Sequence, residues 1–239
     1  MVGRVLLFTL VPLAAAVVSG AAAALRAPGT RLTSGLQHFA AGVVFAAAAI
    51  ELLPDVLHQD PGVAIAGFAA GIAVMFSFRA VSERAERRRE ARGQSGLPLG
   101  MLAATGIDFF IDGVILGAGF ATSSDVGALL TVALAVEYLF VGLSLSATLA
   151  GTVPRVAVAA APAALALLTV LGAVLGVLLL SGVSAAVLAG VLAFGAVAFM
   201  YLATEELLVE AHASGETAVG SVGFFLGFLI YLVLHELIT

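Results

Sequence analysis

Two aspartates sit four residues apart inside an otherwise apolar stretch, Gly106-Ile-Asp-Phe-Phe-Ile-Asp-Gly-Val-Ile-Leu-Gly-Ala-Gly-Phe120. On a helix that spacing puts Asp108 and Asp112 on one face, about one turn apart. The next apolar stretch carries Glu137 about twelve residues from its start, within Val-Ala-Leu-Ala-Val-Glu-Tyr-Leu-Phe-Val. If both stretches cross a bilayer, three carboxylates share one depth on two antiparallel helices. Each acid near the bilayer centre costs about 2.5–3.5 kcal/mol on insertion scales. Three ionised groups would also repel, a conflict that a bound cation or shared protons relieve. No arginine lies at that depth to offer a salt bridge. Protonated acids hydrogen-bonded for packing, or a proton relay, are two readings of the cluster; a cation site in a permeation path is the leading one. All-oxygen donors favour Mn, Mg or Fe(II), and suit Zn less than a site containing histidine.

Two further groups flank this one along the chain. Glu51, Asp55, His58 and Asp60 follow one apolar stretch, and His235 and Glu236 end the last. Together they predict an outer entrance for cations. His38, near the start of the second stretch, is expected to meet Glu205, Glu206, Glu210 and His212 at the end of the seventh, as a cytoplasmic exit.

The elements that must hold these groups follow from composition. Of the 239 residues 62% are hydrophobic and 10% charged, against about 25% charged in a soluble domain. That excludes a soluble enzyme and a nucleic-acid binder. Cysteine is absent, which removes disulfides, zinc–thiolate sites and thiol catalysis. A helix needs about 20 apolar residues to cross the hydrocarbon. Eight such runs are predicted, roughly 3–25, 33–57, 62–80, 98–121, 125–151, 155–181, 184–210 and 218–238. Met1 to Ala24 has the look of a secretory signal but is read as the first span. The chain is therefore expected to be a single all-α transmembrane domain over 1–239, with an Arg-rich cytoplasmic loop at 81–97.

All ten basic residues are arginine. Arg26, Arg31, the six from Arg79 to Arg92, and Arg155 fall in alternate loops, and only Arg4 falls opposite. The positive-inside rule makes the arginine side cytoplasmic and both termini extracytoplasmic. Spans two and seven also share an echo, Glu51-Leu52-Leu53-Pro54-Asp55 against Glu206-Leu207-Leu208-Val209-Glu210. Since these spans run in opposite directions, the echo predicts an inverted repeat of spans 1–3 and 6–8, a common transporter plan.

On these stretches the chain resembles the ZIP (Zrt/Irt-like) family of divalent-metal transporters, particularly small bacterial members. His38-Phe39 through Leu57-His58 is similar to the family's second span, and Phe199-Met200 through Gly215-Glu216 to its seventh. The runs around Asp108 and Glu137 resemble the fourth and fifth, where the family carries His-Asn-x-Pro-Glu-Gly and His/Gln-x-x-Pro-Glu-Gly. The resemblance implies eight helices, outward termini, and an inverted repeat around a central pair, spans 4 and 5. Aligned on Gly113, Asp108 takes the family's His position, Phe109 the Asn, Ile111 the Pro and Asp112 the Glu. Aligned on Gly142, Glu137 takes the His/Gln position, while Tyr138, Phe140 and Val141 replace a polar residue, the Pro and the Glu. Thr169 stands where many relatives have Glu. Members can hold two adjacent metals; here Asp108, Asp112 and Glu137 keep one ligand set, and Phe109, Tyr138, Val141 and Thr169 remove most of the other.

The function implied is a plasma-membrane permease moving one divalent ion (Zn, Mn or Fe(II)) into the cytoplasm. The ion is then its substrate, with no resident cofactor, and the lipid bilayer its surroundings; a homodimer stays open. The alternative is a non-transporting membrane sensor or partner subunit with a vestigial site. An intramembrane enzyme using Asp108 and Asp112 as an acid–base pair is the weakest reading, because no partner nucleophile or phosphate-cradling loop accompanies them. The topology is testable directly, since the chain has no cysteine of its own. An Arg88→Cys protein in intact cells is expected to resist an impermeant thiol reagent applied outside and to react after permeabilisation. Labelling from outside would invert the topology.

Overall fold

A computed structural model describes residues 1–25, 29–57, 61–91, 97–213 and 218–239 of the chain. Among these residues eight helices are long and apolar enough to cross a membrane: Val2–Leu25, Leu32–Leu52, Pro61–Ala85, Leu99–Thr122, Ser124–Leu149, Arg155–Leu180, Ala185–His212 and Gly220–Ile238. The chain is all-helical and has the make-up of a multi-pass membrane protein. In hydrocarbon every backbone N–H and C=O must be satisfied internally, and a helix does this within one segment. The breaks carry the expected turn chemistry. Ser123 and Ser184 accept hydrogen bonds from the N–H groups of Val126 and Val187, capping spans five and seven. Gly151 and Gly182 take φ of +81° and +86° at two turns, where a side chain would be strained.

The boundaries lie close to those read from hydropathy, with two differences. The third helix runs unbroken from Pro61 to Ala91, so much of the Arg-rich stretch is a helical extension of span three. Spans two and seven are each interrupted by a π-turn, Ala48–Leu52 and Leu202–Leu207, in which the Leu53 and Leu208 N–H groups reach back five residues to Ala48 and Ala203. In span two the cause is Pro54, which has no N–H to donate and whose ring would strike the carbonyl of Ile50. In span seven the Thr204 hydroxyl bonds back to the Met200 carbonyl at 2.8 Å, a side-chain bond that competes with the regular ladder. Both π-turns end in Glu-Leu: Glu51-Leu52 and Glu206-Leu207.

Spans two, five and seven form the interior, while spans three and eight are the most lipid-exposed. Span two packs against spans five, seven and eight, and span seven against spans two, three and four. Span four lies along spans five and six, and span five along spans one and four. Small residues set the closest approaches. Gly67 and Gly71 of span three face the carbonyls of Gly190 and Phe194 in span seven; Gly223 and Gly227 of span eight face those of Gly35 and Phe39 in span two. Gly113 of span four sits against Thr169 of span six, and Gly142 of span five against Ser19 of span one. Gly113 and Gly142 therefore serve close helix crossings.

A Cβ at Gly113 would strike the Thr169 backbone, which cannot turn aside as a side chain can. Gly113→Ala is expected to destabilise the protein by about 1–3 kcal/mol, the usual cost of overpacking. Gly3→Ala, with open space around it, should gain a few tenths of a kcal/mol from helix propensity. Thermal unfolding in detergent measures both.

Candidate cation site

The fourth and fifth helices cross at the depth of their acids. Oxygens of Asp108, Asp112 and Glu137 lie within 4.8 Å of one another, the one such group of three potential metal ligands among the described residues. Asp112 and Glu137 are buried, and Asp108 is half-buried. No ion pair among the described residues reaches any of the three. At this spacing two ionised carboxylates repel by roughly 3 kcal/mol, even at an effective dielectric constant of about 20.

The surroundings of the three acids differ. The Tyr138 hydroxyl stands 3.3 Å from Asp112 Oδ2 and 2.5 Å from Thr169 Oγ1. Neither Oε1 nor Oε2 of Glu137 accepts from a conventional donor, although the residue is 0% exposed, and its polar neighbour is the Asp112 carboxyl, with which it can share a proton. Ionised and without a countercharge, such a group loses its hydration at a cost of several kcal/mol. Metal–oxygen bonds of about 2.0–2.6 Å place ligand oxygens up to roughly 4 to 5 Å apart across an ion, so this spacing suits a divalent cation held between the three.

Beside the acids, the Phe109 and Tyr138 rings stack with centroids 3.8 Å apart and planes 15° from parallel. Both rings are fully buried. With the Tyr138–Thr169 hydroxyl contact they fill the space next to the carboxylates with apolar and neutral groups. Asp108 opens into a cleft of about 200 Å³ whose walls include Met101, Thr105, Ser144, Tyr201, Glu206 and Glu210. These residues belong to the ends of spans four, five and seven that lie beside the Arg-rich segment. In the other direction the helices close tightly, with Ile115, Leu116, Leu130 and Leu134 at most 1% exposed.

The expected exit group divides. Glu206 and Glu210 line the cleft, Glu210 accepting a hydrogen bond from Ser144. Glu205 is turned to Arg79 of span three at 2.5 Å, and Arg79 also holds Glu83 at 3.0 Å. His38 and His212 meet edge to face with centroids 4.9 Å apart, outside the cleft walls. Their Nδ1 atoms lie 2.8 Å and 2.6 Å from the carbonyls of Ser34 and Leu208. Of the expected entrance group, Glu51 and His235 are joined, Oε1 to Nδ1, at 2.9 Å, and Glu236 is exposed. The Asp55 side chain, His58 and Asp60 lie outside what the structure describes. Arg79 and Ser144 were missed as partners of these acids. The Arg79–Glu83 spacing of four was a readable signal, whereas the cross-helix contacts of Arg79 and Ser144 had none.

No protein-family model matches the chain, and no curated protein matches it.

Tyr138→Phe keeps the ring stack but removes the hydroxyl that joins Asp112 and Thr169. Side-chain hydrogen bonds between membrane helices average roughly 0.6 kcal/mol and reach about 1.7 kcal/mol. The variant is expected to lose stability on that scale. Tyr138→Leu, which also loses the stack, should fall further in the same thermal unfolding measurement.

Proposed function

We propose that the chain is a ZIP-like permease that carries a divalent cation across the plasma membrane into the cytoplasm through one midplane site, Asp108, Asp112 and Glu137. The observation that carries this reading is the cluster itself, three carboxyl groups with oxygens within 4.8 Å of one another, two of them buried, and no countercharge among the described ion pairs. A cation between them supplies the missing countercharge to all three. Asp108 connects that position to the cleft, and Glu206 and Glu210 offer the next anionic stops. The Phe109–Tyr138 stack and the Tyr138–Thr169 contact supply no charge for a second ion, which favours a single-ion site. With the Arg-rich end cytoplasmic, the cleft is the inward one and both termini lie outside.

The inverted repeat belongs to the same proposal, and the helix contacts support it. Pairing span one with six, two with seven, three with eight and four with five matches Pro12 to Pro162, Ser19 to Thr169, Glu51 to Glu206, and Asp108 to Glu137. Under that pairing the contact of Gly67 with Gly190 becomes that of Gly223 with Gly35. The contact of Gly71 with Phe194 becomes that of Gly227 with Phe39. Gly113 against Thr169 becomes Gly142 against Ser19, and the two π-turns coincide. Phe109 matches Tyr138, so the ring stack lies on the pseudo-twofold axis. Inverted repeats of this kind place a substrate site at the midplane and let one bundle move against the other.

Asp112→Asn tests the reading. The amide oxygen still accepts from Tyr138, so fold and expression should hold while one ligand charge is lost. Uptake of Zn, Mn or Fe(II) into vesicles is expected to fall by at least about tenfold, the scale on which even an outer partner of a metal ligand acts. Normal uptake by the well-folded variant sinks the claim that this cluster carries the ion. A binding-only relative is the second outcome: ion binding to the parent protein without uptake.

A further inference from the structure

The arginines on the helical extension of span three are of two kinds. Arg79 and Arg87 each have Glu83 four residues away and bind it, at 3.0 Å and 3.6 Å. Arg84 and Arg88 have no acid three or four residues away on either side, the separations at which helical side chains meet. No ion pair among the described residues reaches either of them. Standing four apart, they neighbour each other instead, a like-charge pair that destabilises a helix.

The helix below sets the direction in which they face. Ala70, Ala73, Ser77 and Val81 recur every three or four residues and are all exposed, and Arg84 and Arg88, also exposed, continue that series. The other side of the helix carries Gly67 and Gly71, which approach span seven, and Met75 and Phe78, which wall the cleft. The two arginines therefore extend the side of span three that meets lipid. Their depth follows from length. The helix begins at Pro61, and about 20 residues at 1.5 Å each cover the roughly 30 Å of hydrocarbon, ending near Val81. Arg84 lies about 4.5 Å beyond, inside a headgroup layer of about 5–7 Å, and Arg88 about 10 Å beyond, at its outer edge.

We infer that Arg84 and Arg88 bind the headgroup of an anionic phospholipid at the lipid-facing edge of span three. Place and charge together select that occupant. A lipid beside Ser77 and Val81 brings its phosphate level with Arg84. Guanidinium groups take phosphate oxygens in paired, charge-assisted hydrogen bonds, and two side chains one helical turn apart can share one phosphate. A zwitterionic headgroup carries its own ammonium and has no net charge to set against the pair, so the preference is for an anionic lipid. Nothing in this requires the transport reading; it requires only that span three crosses the bilayer.

The chain has no tryptophan, so Val81→Trp places a single fluorophore on the lipid-facing side, one turn from Arg84. The protein is reconstituted in phosphatidylcholine vesicles containing a minor fraction of phosphatidylglycerol, with brominated acyl chains on one lipid or the other. The ratio of the two quenching efficiencies, corrected for composition, gives the relative association of the lipids at this edge. Phosphatidylglycerol is expected to be favoured by at least about fivefold, the weight of one arginine at an anionic surface. Replacing both residues, Arg84→Gln with Arg88→Gln, should bring the ratio close to one, and because both are exposed the protein should stay folded. Arg87→Gln removes the same charge from a side chain that already has Glu83, so it should lower the ratio less than Arg84→Gln does. A ratio near one in the parent protein, or equal losses from Arg84→Gln and Arg87→Gln, overturns the inference. So does a preference abolished by sodium phosphate but not by sodium chloride of equal ionic strength, which makes free phosphate the occupant.

Discussion

A buried carboxylate with no countercharge within reach is the constraint around which this molecule is organised. Hydrocarbon offers no water to an ionised group, and nearby anions make its position worse. Glu137 is in that position, with Asp108 and Asp112 beside it. The surrounding helices do not neutralise the three acids; every described ion pair lies elsewhere. What the helices supply is enclosure. Tyr138 donates to one acid or to Thr169, the Phe109 ring blocks one flank, and a cleft gives Asp108 access to one end. A site that leaves charge unmatched while restricting access suits a mobile counter-ion better than a fixed one.

The packing that holds this arrangement depends on small residues more than on large ones. Lipid tails are as apolar as leucine, so burial alone gives membrane helices little reason to associate, and close backbone approach carries more of the attraction. The crossings of Gly113 with Thr169 and Gly142 with Ser19 bring spans six and one hard against spans four and five. The outermost spans, three and eight, are joined to seven and two in the same manner.

Much of this was legible in the residues. Eight apolar runs and their turn chemistry locate the helices because crossing a bilayer admits few alternatives. Asp108, Asp112 and Glu137 could be grouped because four-residue spacing and equal depth are one-dimensional facts. The Glu-Leu-Leu echo marked the corresponding turns of spans two and seven. Other features depend on which helix face meets which neighbour. Glu205 and Glu206 are adjacent in sequence, yet one binds Arg79 and the other lines the cleft. Nothing in a list of acids separates them, because the separation comes from a π-turn. The His38–His212 contact was anticipated from chain position, but its place outside the cleft walls was not.

The π-turns also bear on how the chain tolerates a change in its length. A π-turn holds one residue more than the regular helix would at the same place. Removing a single residue from Leu202–Leu207 would let the ladder close up as ordinary α-helix, so span seven would survive a deletion that elsewhere rotates everything beyond it by about 100°. The segment after the turn would keep its phase relative to its neighbours, and Glu210 its place in the cleft wall. The surplus residue is thus one that span seven can lose, whereas at Ala48–Leu52 Pro54 prevents the ladder from closing.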